Sequence, residues 1–269
     1  MNTPTDTPPS FLLSSGDTVQ SVSAWPDLGI QITRDGRQMH NLTSRLAKAT
    51  AEFNKLSAFW SHAHINTGIK IKMYKAIFYP MVMYALHYSW MTKSMNSKLD
   101  SWQVLTLRRL LRIKASMISH VSNEEVLRRA KCTPLSVLVR QERKKYMGHV
   151  LRQDYNSTIH NICFDSSCKV RTPQVKRRRR RPLDNWTRKT IQEVLFSGQH
   201  VPLPSLRPNL AADPCTDGVL YARRIANNRT LWKGHIVRGA YAPARKPVGR
   251  RRAPVGAPAD GRELTQGAR

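Results

Sequence analysis

Six apolar residues, Leu42, Leu46, Ala49, Phe53, Leu56 and Trp60, follow one another at steps of four, three, four, three and four. An α-helix turns by about 100° per residue, so this rhythm lays all six along one stripe, with Lys48 and Lys55 on the far side. A strand would scatter the same residues over both of its faces. A stripe of this kind commits the segment to a helix that must be covered by other helices.

Four further segments supply candidate partners. Residues 67–88 contain the amphipathic "KIKMYKAI", with a kink or break expected near Pro80, which lacks a backbone N–H. Residues 96–114 carry Leu99, Trp102, Leu105, Leu110 and Ile113 at helical spacing. In "SNEEVLRR", Ser122 and Glu125 form a capping box that opens a short helix. A fifth helix is predicted over 135–153. The one strand signal is "DLGIQITRDG" (27–36), ending in a turn at Asp35-Gly36. Residues 1–26 read as unstructured. Composition shifts near residue 155: residues 155–194 read as a basic linker with an arginine run and a short helix. Residues 195–269 read as a Pro/Arg-rich tail, mostly disordered. Within that tail, 223–241 mixes helical and strand character and receives no definite assignment. The expected fold is mainly α, a helical bundle over 27–154 with a short N-terminal strand or hairpin and a largely disordered basic C-terminal tail.

The fifth helix contains "RKKYMGHVLRQD". A glycine inside a helix costs about 1 kcal/mol relative to alanine, so Gly148 needs a packing or binding reason. On a helical wheel Leu135, Leu138, Val139, Tyr146, Met147, Val150 and Leu151 share one broad arc, whereas Gln141, Lys144, Lys145, Gly148 and Arg152 share the opposite one. A bare backbone among cations admits either a phosphate strand or a neighbouring helix, and spacing does not choose between them.

Charge bears on partners. The chain has 45 Lys and Arg against 17 Asp and Glu, a formal net charge of +28. Self-repulsion on this scale opposes compaction unless a polyanion neutralises it, and nucleic acid is the ordinary polyanion. Lys48, Lys55, Lys70, Lys72, Lys75, Arg108 and Arg109, with Lys144, Lys145 and Arg152, are expected to form basic helix faces. The run "KRRRRR" (176–181) adds Arg177, Arg178, Arg179, Arg180 and Arg181, whose forked guanidinium groups pair with phosphates. Trp186, just beyond, is placed to stack on a base. The same run also fits a nuclear-import signal. Trp60, Tyr74, Tyr84, Trp90 and Trp102 read as core.

No membrane span is expected, since the longest apolar patch, residues 76–86, is too short and is interrupted by Pro80. The N-terminal stretch lacks the pattern of an export signal, so Cys132, Cys163, Cys168 and Cys215 read as reduced thiols. The expected location is intracellular, nuclear or cytoplasmic. No catalytic residue is assigned: the sequence holds no Asp-Asp pair, and Glu124-Glu125 is explained by a helix start. His160, Cys163 and Cys168 are spaced suggestively, but a zinc site needs a fourth ligand, which would have to come from Cys132, His149 or Cys215. Free thiols are the preferred reading, and no metal, cofactor or small-molecule substrate is expected.

In order, "LGIQITRDG", "RLAKATAEFNKLSAFW", "KIKMYKAIFYPMVMYAL", "LRRLLRI", "SNEEVLRRA", "RKKYMGHVLRQD" and "RRRRRPLDNW" resemble the C-terminal section of reverse transcriptases from non-LTR (LINE-type) retrotransposons. The likeness covers about residues 28–194. It implies a last palm strand, a helical thumb-like domain and a basic tail. In that family an aromatic residue precedes the "LG" where this chain has Asp27, and a "GRP" stands where this chain has Arg180-Arg181-Pro182. The family's catalytic aspartates would lie upstream of "LGIQI". The expectation is therefore a remnant lacking the catalytic palm, which binds RNA or an RNA–DNA hybrid through backbone phosphates and would use Mg2+ only if that palm were supplied. Two alternatives stand beside it: a helical protein-interaction module with a nuclear-import tail, and an incomplete gene model of an active RNA-directed DNA polymerase.

Overall fold

The structure, a computed structural model, describes residues 10–33, 38–62, 64–171, 186–198 and 216–238. It is mainly helical, in the class that the periodicity predicts. Two small antiparallel hairpins come first: β1 (Ser10–Leu12) with β2 (Thr18–Gln20), and β3 (Ala24–Asp27) with β4 (Ile30–Thr33). Residues 10–12, 18–20 and 24–27 are thus paired in strands rather than unstructured. The turn of the second hairpin is Leu28-Gly29, inside the predicted strand and upstream of β4, with both residues at positive φ (44° and 76°). This is the pairing that a two-residue hairpin loop requires. Asp35-Gly36 lies outside the described residues.

The first predicted stripe forms α1 (Met39–Lys55) and α2 (Ser57–Ser61), with Leu42, Leu46, Ala49, Phe53 and Trp60 all buried. Phe53 stacks on Trp60 at 5.1 Å and meets Phe78 and Tyr74 edge-on at 5.6 and 6.3 Å. Phe78 and Tyr74 come from α3 (Thr67–Met83), which Asn66 caps by accepting the Gly68 amide. Pro80 does not break α3. It sits in the last turn, and the chain turns only at Ala85, which is left-handed at φ 58°. Then follow α4 (Lys93–Leu110), the short α5 (Ser116–Ser119) and α6 (Asn123–Arg129). Ser122 caps α6 as predicted, through the Glu125 amide, but the Glu125 carboxylate turns outward to Arg128 and Arg129. These two guanidinium groups hold its pKa down at about 2. Leu105, expected in the core, is exposed.

α7 (Leu135–Arg152) is the spine of the molecule. Its N-cap residue, Pro134, offers no side-chain bond, so another helix, α4, supplies the cap. Asp100 of α4 accepts from the Ser136 amide (2.9 Å) and hydroxyl (2.6 Å), and buried Gln103 accepts from the Leu135 amide (2.9 Å). Asp100→Ala is expected to cost about 1–2 kcal/mol, the usual value of a lost cap. A denaturant midpoint, with faster hydrogen exchange at the Ser136 amide, checks it.

Leu135 and Val139 belong to a first core, shared with α1–α4 and α6. Met147, Val150 and Leu151, further along the same helix, belong to a second. That second core is completed by α8 (Thr158–Cys163), α9 (Trp186–Gly198), α10 (Thr216–Asn227) and a π-helical stretch, Trp232–Arg238, which the single turn α11 (Arg229–Leu231) joins to α10. The composition break near residue 155 therefore does not coincide with the end of the packed body. Residues 223–238, left unassigned from sequence, supply Ile225, Ala226, Trp232, Ile236 and Val237 to the core. Most of the expected tail lies outside the described residues. No helix among the described residues is long and apolar enough to cross a membrane.

Candidate nucleic-acid interface

The residues of α7 that sequence placed on one basic face part company in the structure. Lys145 is exposed and pairs with Glu142 one turn away. Arg152 is half-buried and donates to the Ala226 carbonyl at 3.0 Å. Burial, together with the like charge of Arg229, lowers its pKa. Lys144 and Gly148 face inward, which corrects the expectation of a single solvent-facing arc. Lys144 is only 2% exposed, and its Nζ donates to the Ser197 hydroxyl of α9 at 2.7 Å. Burial pushes its pKa down to about 8, against a partly restoring pull from Glu193.

Gly148 meets the indole of Trp232. A Cβ built on Gly148 would lie 2.4 Å from Trp232 Nε1 and 2.5 Å from Cε2. The indole N–H donates to the Lys144 carbonyl at 3.1 Å, so the ring is held against one turn of α7 where only glycine leaves room. Of the two readings open from sequence, a close helix contact is the one realised. The physical reason is that α7 is covered on two sides. The wheel finds the apolar stripe, which meets the first core at Leu135 and Val139 and the second at Met147, Val150 and Leu151, but the cover over Lys144 and Gly148 comes from segments distant in sequence.

Other cations of the expected basic faces also turn in. Lys70 is buried and donates to the Trp60 and His62 carbonyls (2.8 and 2.7 Å), closing the C-terminal end of α2. Arg108 is buried and donates to the Lys114 and Val121 carbonyls (3.1 and 2.6 Å) and to Asn123 Oδ1. These two are structural cations. Lys48, Lys55 and Lys72 remain exposed, as does Arg109; Lys75 is half-buried and donates to the Lys131 carbonyl.

Beside α7 lies a group of rings and cations that sequence did not assemble. Arg143 and Lys189 both lie over the Trp90 ring, at 4.3 and 5.0 Å. Arg143 also pairs with Glu193 at 3.1 Å. Trp90, read as core from sequence, is half-buried and serves as a cation platform. Trp186 is half-buried too. Its indole donates to the His87 carbonyl at 2.9 Å and packs near Tyr146, so it anchors α9 rather than standing free for a base. Tyr84, also read as core, is half exposed beneath Arg45. Residues 172–185, and with them Arg177, Arg178, Arg179, Arg180 and Arg181, lie outside the described residues. In sequence the run ends four residues before α9 begins.

His160, Cys163 and Cys168 enter the second core. His160 faces Arg223 at 3.4 Å and Tyr155, and its pKa is lowered by burial and then by Arg223. A cation opposite the imidazole is a poor setting for a metal ion, and no group of three metal-binding side chains gathers among the described residues. Comparison with protein-family models, with curated proteins and with solved structures finds no match for this chain.

Proposed function

We propose that this chain binds RNA or an RNA–DNA hybrid through backbone phosphates, as a helical, thumb-like module of the reverse-transcriptase kind without an assigned catalytic residue. The observation that supports it most is how the carboxylates are used. Glu52, Glu125 and Glu142 pair with basic residues on their own helices, and Glu193 is held by Arg143 and Arg140. Asp100 caps α7, and Asp165 accepts from its own loop at Ser167 and Lys169. With these six acids engaged, exposed cations such as Lys48, Lys72, Lys114, Arg224 and Lys233 are left to face solvent in a chain of net charge +28. The resemblance noted in the sequence points the same way, and a nuclear or cytoplasmic location belongs to this proposal.

Phosphate neutralisation releases counterions, so affinity for a hybrid duplex should fall steeply with salt and depend little on sequence. Replacing Arg177 through Arg181 by serine is expected to reduce the log–log salt slope by about 3–5, at roughly 0.7–0.9 per lost phosphate contact. An unchanged slope would count against the arginine run as the contact. Affinity that ignores salt in the wild-type protein would sink the proposal itself.

A further inference from the structure

The most exposed aliphatic pair in the molecule's described helices is Met117 and Ile118, at 88% and 65%. They sit on α5, the tip of the connection between α4 and α6. The base of that connection is built firmly. Buried Arg108 reaches across it to the carbonyls of Lys114 and Val121 and to Asn123 Oδ1, gathering both strands of the loop onto one guanidinium. Two non-glycine residues, Arg112 and His120, hold left-handed backbone on either side of the tip, at φ 56° and 51°. Arg112 is tied down further by donating to the Ser61 carbonyl. The tip is therefore presented rather than tucked away, although both of its apolar side chains lose by contact with water.

Its surroundings say what covers it. From residue 101 to residue 123 the chain holds no Asp or Glu, and Lys114 and His120 flank the tip and are exposed. The first acids beyond, Glu124 and Glu125, open α6, where Glu125 is held by Arg128 and Arg129. An apolar point beside Lys114 is therefore complementary to a duplex, whose phosphates line the rim of a groove floored by stacked bases. Short aliphatic side chains act on duplexes in that way, by entering the minor groove and parting a base step. The wide, shallow minor groove of an A-form hybrid leaves the base edges within reach.

We propose that Met117 and Ile118 form a wedge that enters the minor groove of a bound RNA–DNA hybrid, with Lys114 on an adjacent phosphate. This rests on the nucleic-acid-binding function proposed above. The test uses the full chain and a hybrid duplex carrying the fluorescent base 2-aminopurine at its centre. Wild-type protein is expected to raise the 2-aminopurine emission several-fold, as the base unstacks. Met117→Ser with Ile118→Ser is expected to abolish that rise and weaken binding about tenfold, with melting temperature and salt slope unchanged. Lys114→Ser is expected to keep the rise and to lower the salt slope by about one. Binding with equal affinity and no change in emission on the double substitution would overturn the wedge while leaving phosphate binding intact. Wild-type protein that fails to bind the hybrid at low salt would overturn both. The same double substitution, assayed by co-sedimentation with phosphatidylserine–phosphatidylcholine vesicles, gives the remaining outcome. Loss of vesicle binding, without any effect on the hybrid, would overturn the wedge in favour of a lipid surface.

Discussion

Gly148→Leu should undock the C-terminal helices from α7. The leucine branches at the position where even a Cβ would lie 2.4 Å from the Trp232 ring. Trp232 is 3% exposed, and its N–H is held by the Lys144 carbonyl, so retreat would cost that bond and open the second core. Overpacking at a site that cannot yield costs about 3 kcal/mol. The roughly 1 kcal/mol gained in helix propensity offsets only part of this. Thermal unfolding should begin earlier, and trypsin should cut sooner at Arg223 and Arg224 of α10. Gly148→Ala should show the same effects more weakly. Combining it with Trp232→Leu should cost less than the sum of the two changes, because the smaller side chain clears the space that the methyl group needs. Unaltered melting and unaltered proteolysis in the leucine variant would mean that the Trp232 contact does not hold the second core to α7.

Lys144→Met tests the other inward-facing residue, and its effect has a sign that depends on pH. Burial lowers the Lys144 pKa from 10.5 to about 8 in the folded protein. Below pH 8 the group is charged whether folded or unfolded, and the cost of burying that charge is present in full. Between pH 8 and 10.5 the unfolded chain binds the proton and the folded chain does not, so stability rises with pH, by about 1.4 kcal/mol per unit. Over that window the rise amounts to roughly 3 kcal/mol. Methionine fills a similar volume without the charge. At pH 7 the variant should therefore be more stable, by about 1–3 kcal/mol after loss of the bond to Ser197, and this contribution to the rise above pH 8 should vanish. Denaturant titrations from pH 7 to 10.5 read both effects. Nucleic-acid affinity and salt slope should not change, because a cation sealed against α9 meets no phosphate. A variant that is less stable at pH 7, or that loses a phosphate's worth of salt slope, would return Lys144 to the surface.

Much of the first core was legible because its rules are local. The stripe from Leu42 to Trp60, the cap at Ser122 and the span of α7 all follow from residues within a few turns of one another. The cap of α7 itself was not legible, since Asp100 and Gln103 reach it from another helix. Trp90 was misread for a related reason. A tryptophan between helices counts as core until Arg143 and Lys189 are found over its ring, and neither neighbour is close in sequence.

By itself the sequence determined that this chain makes amphipathic helices, that their apolar stripes need cover, and that cations far outnumber anions. Only the tertiary structure decided which cations stay outside. Lys144 and Lys145 are adjacent, equally polar to any periodicity, and end on opposite sides of the boundary with water. The difference is made by α9 and Trp232, the latter bonded to a carbonyl 88 residues away in the chain. Periodicity reports what each position prefers to touch. It carries no information about which distant segment arrives to cover it, and a lysine stem or a bare glycine accepts such cover without announcing it.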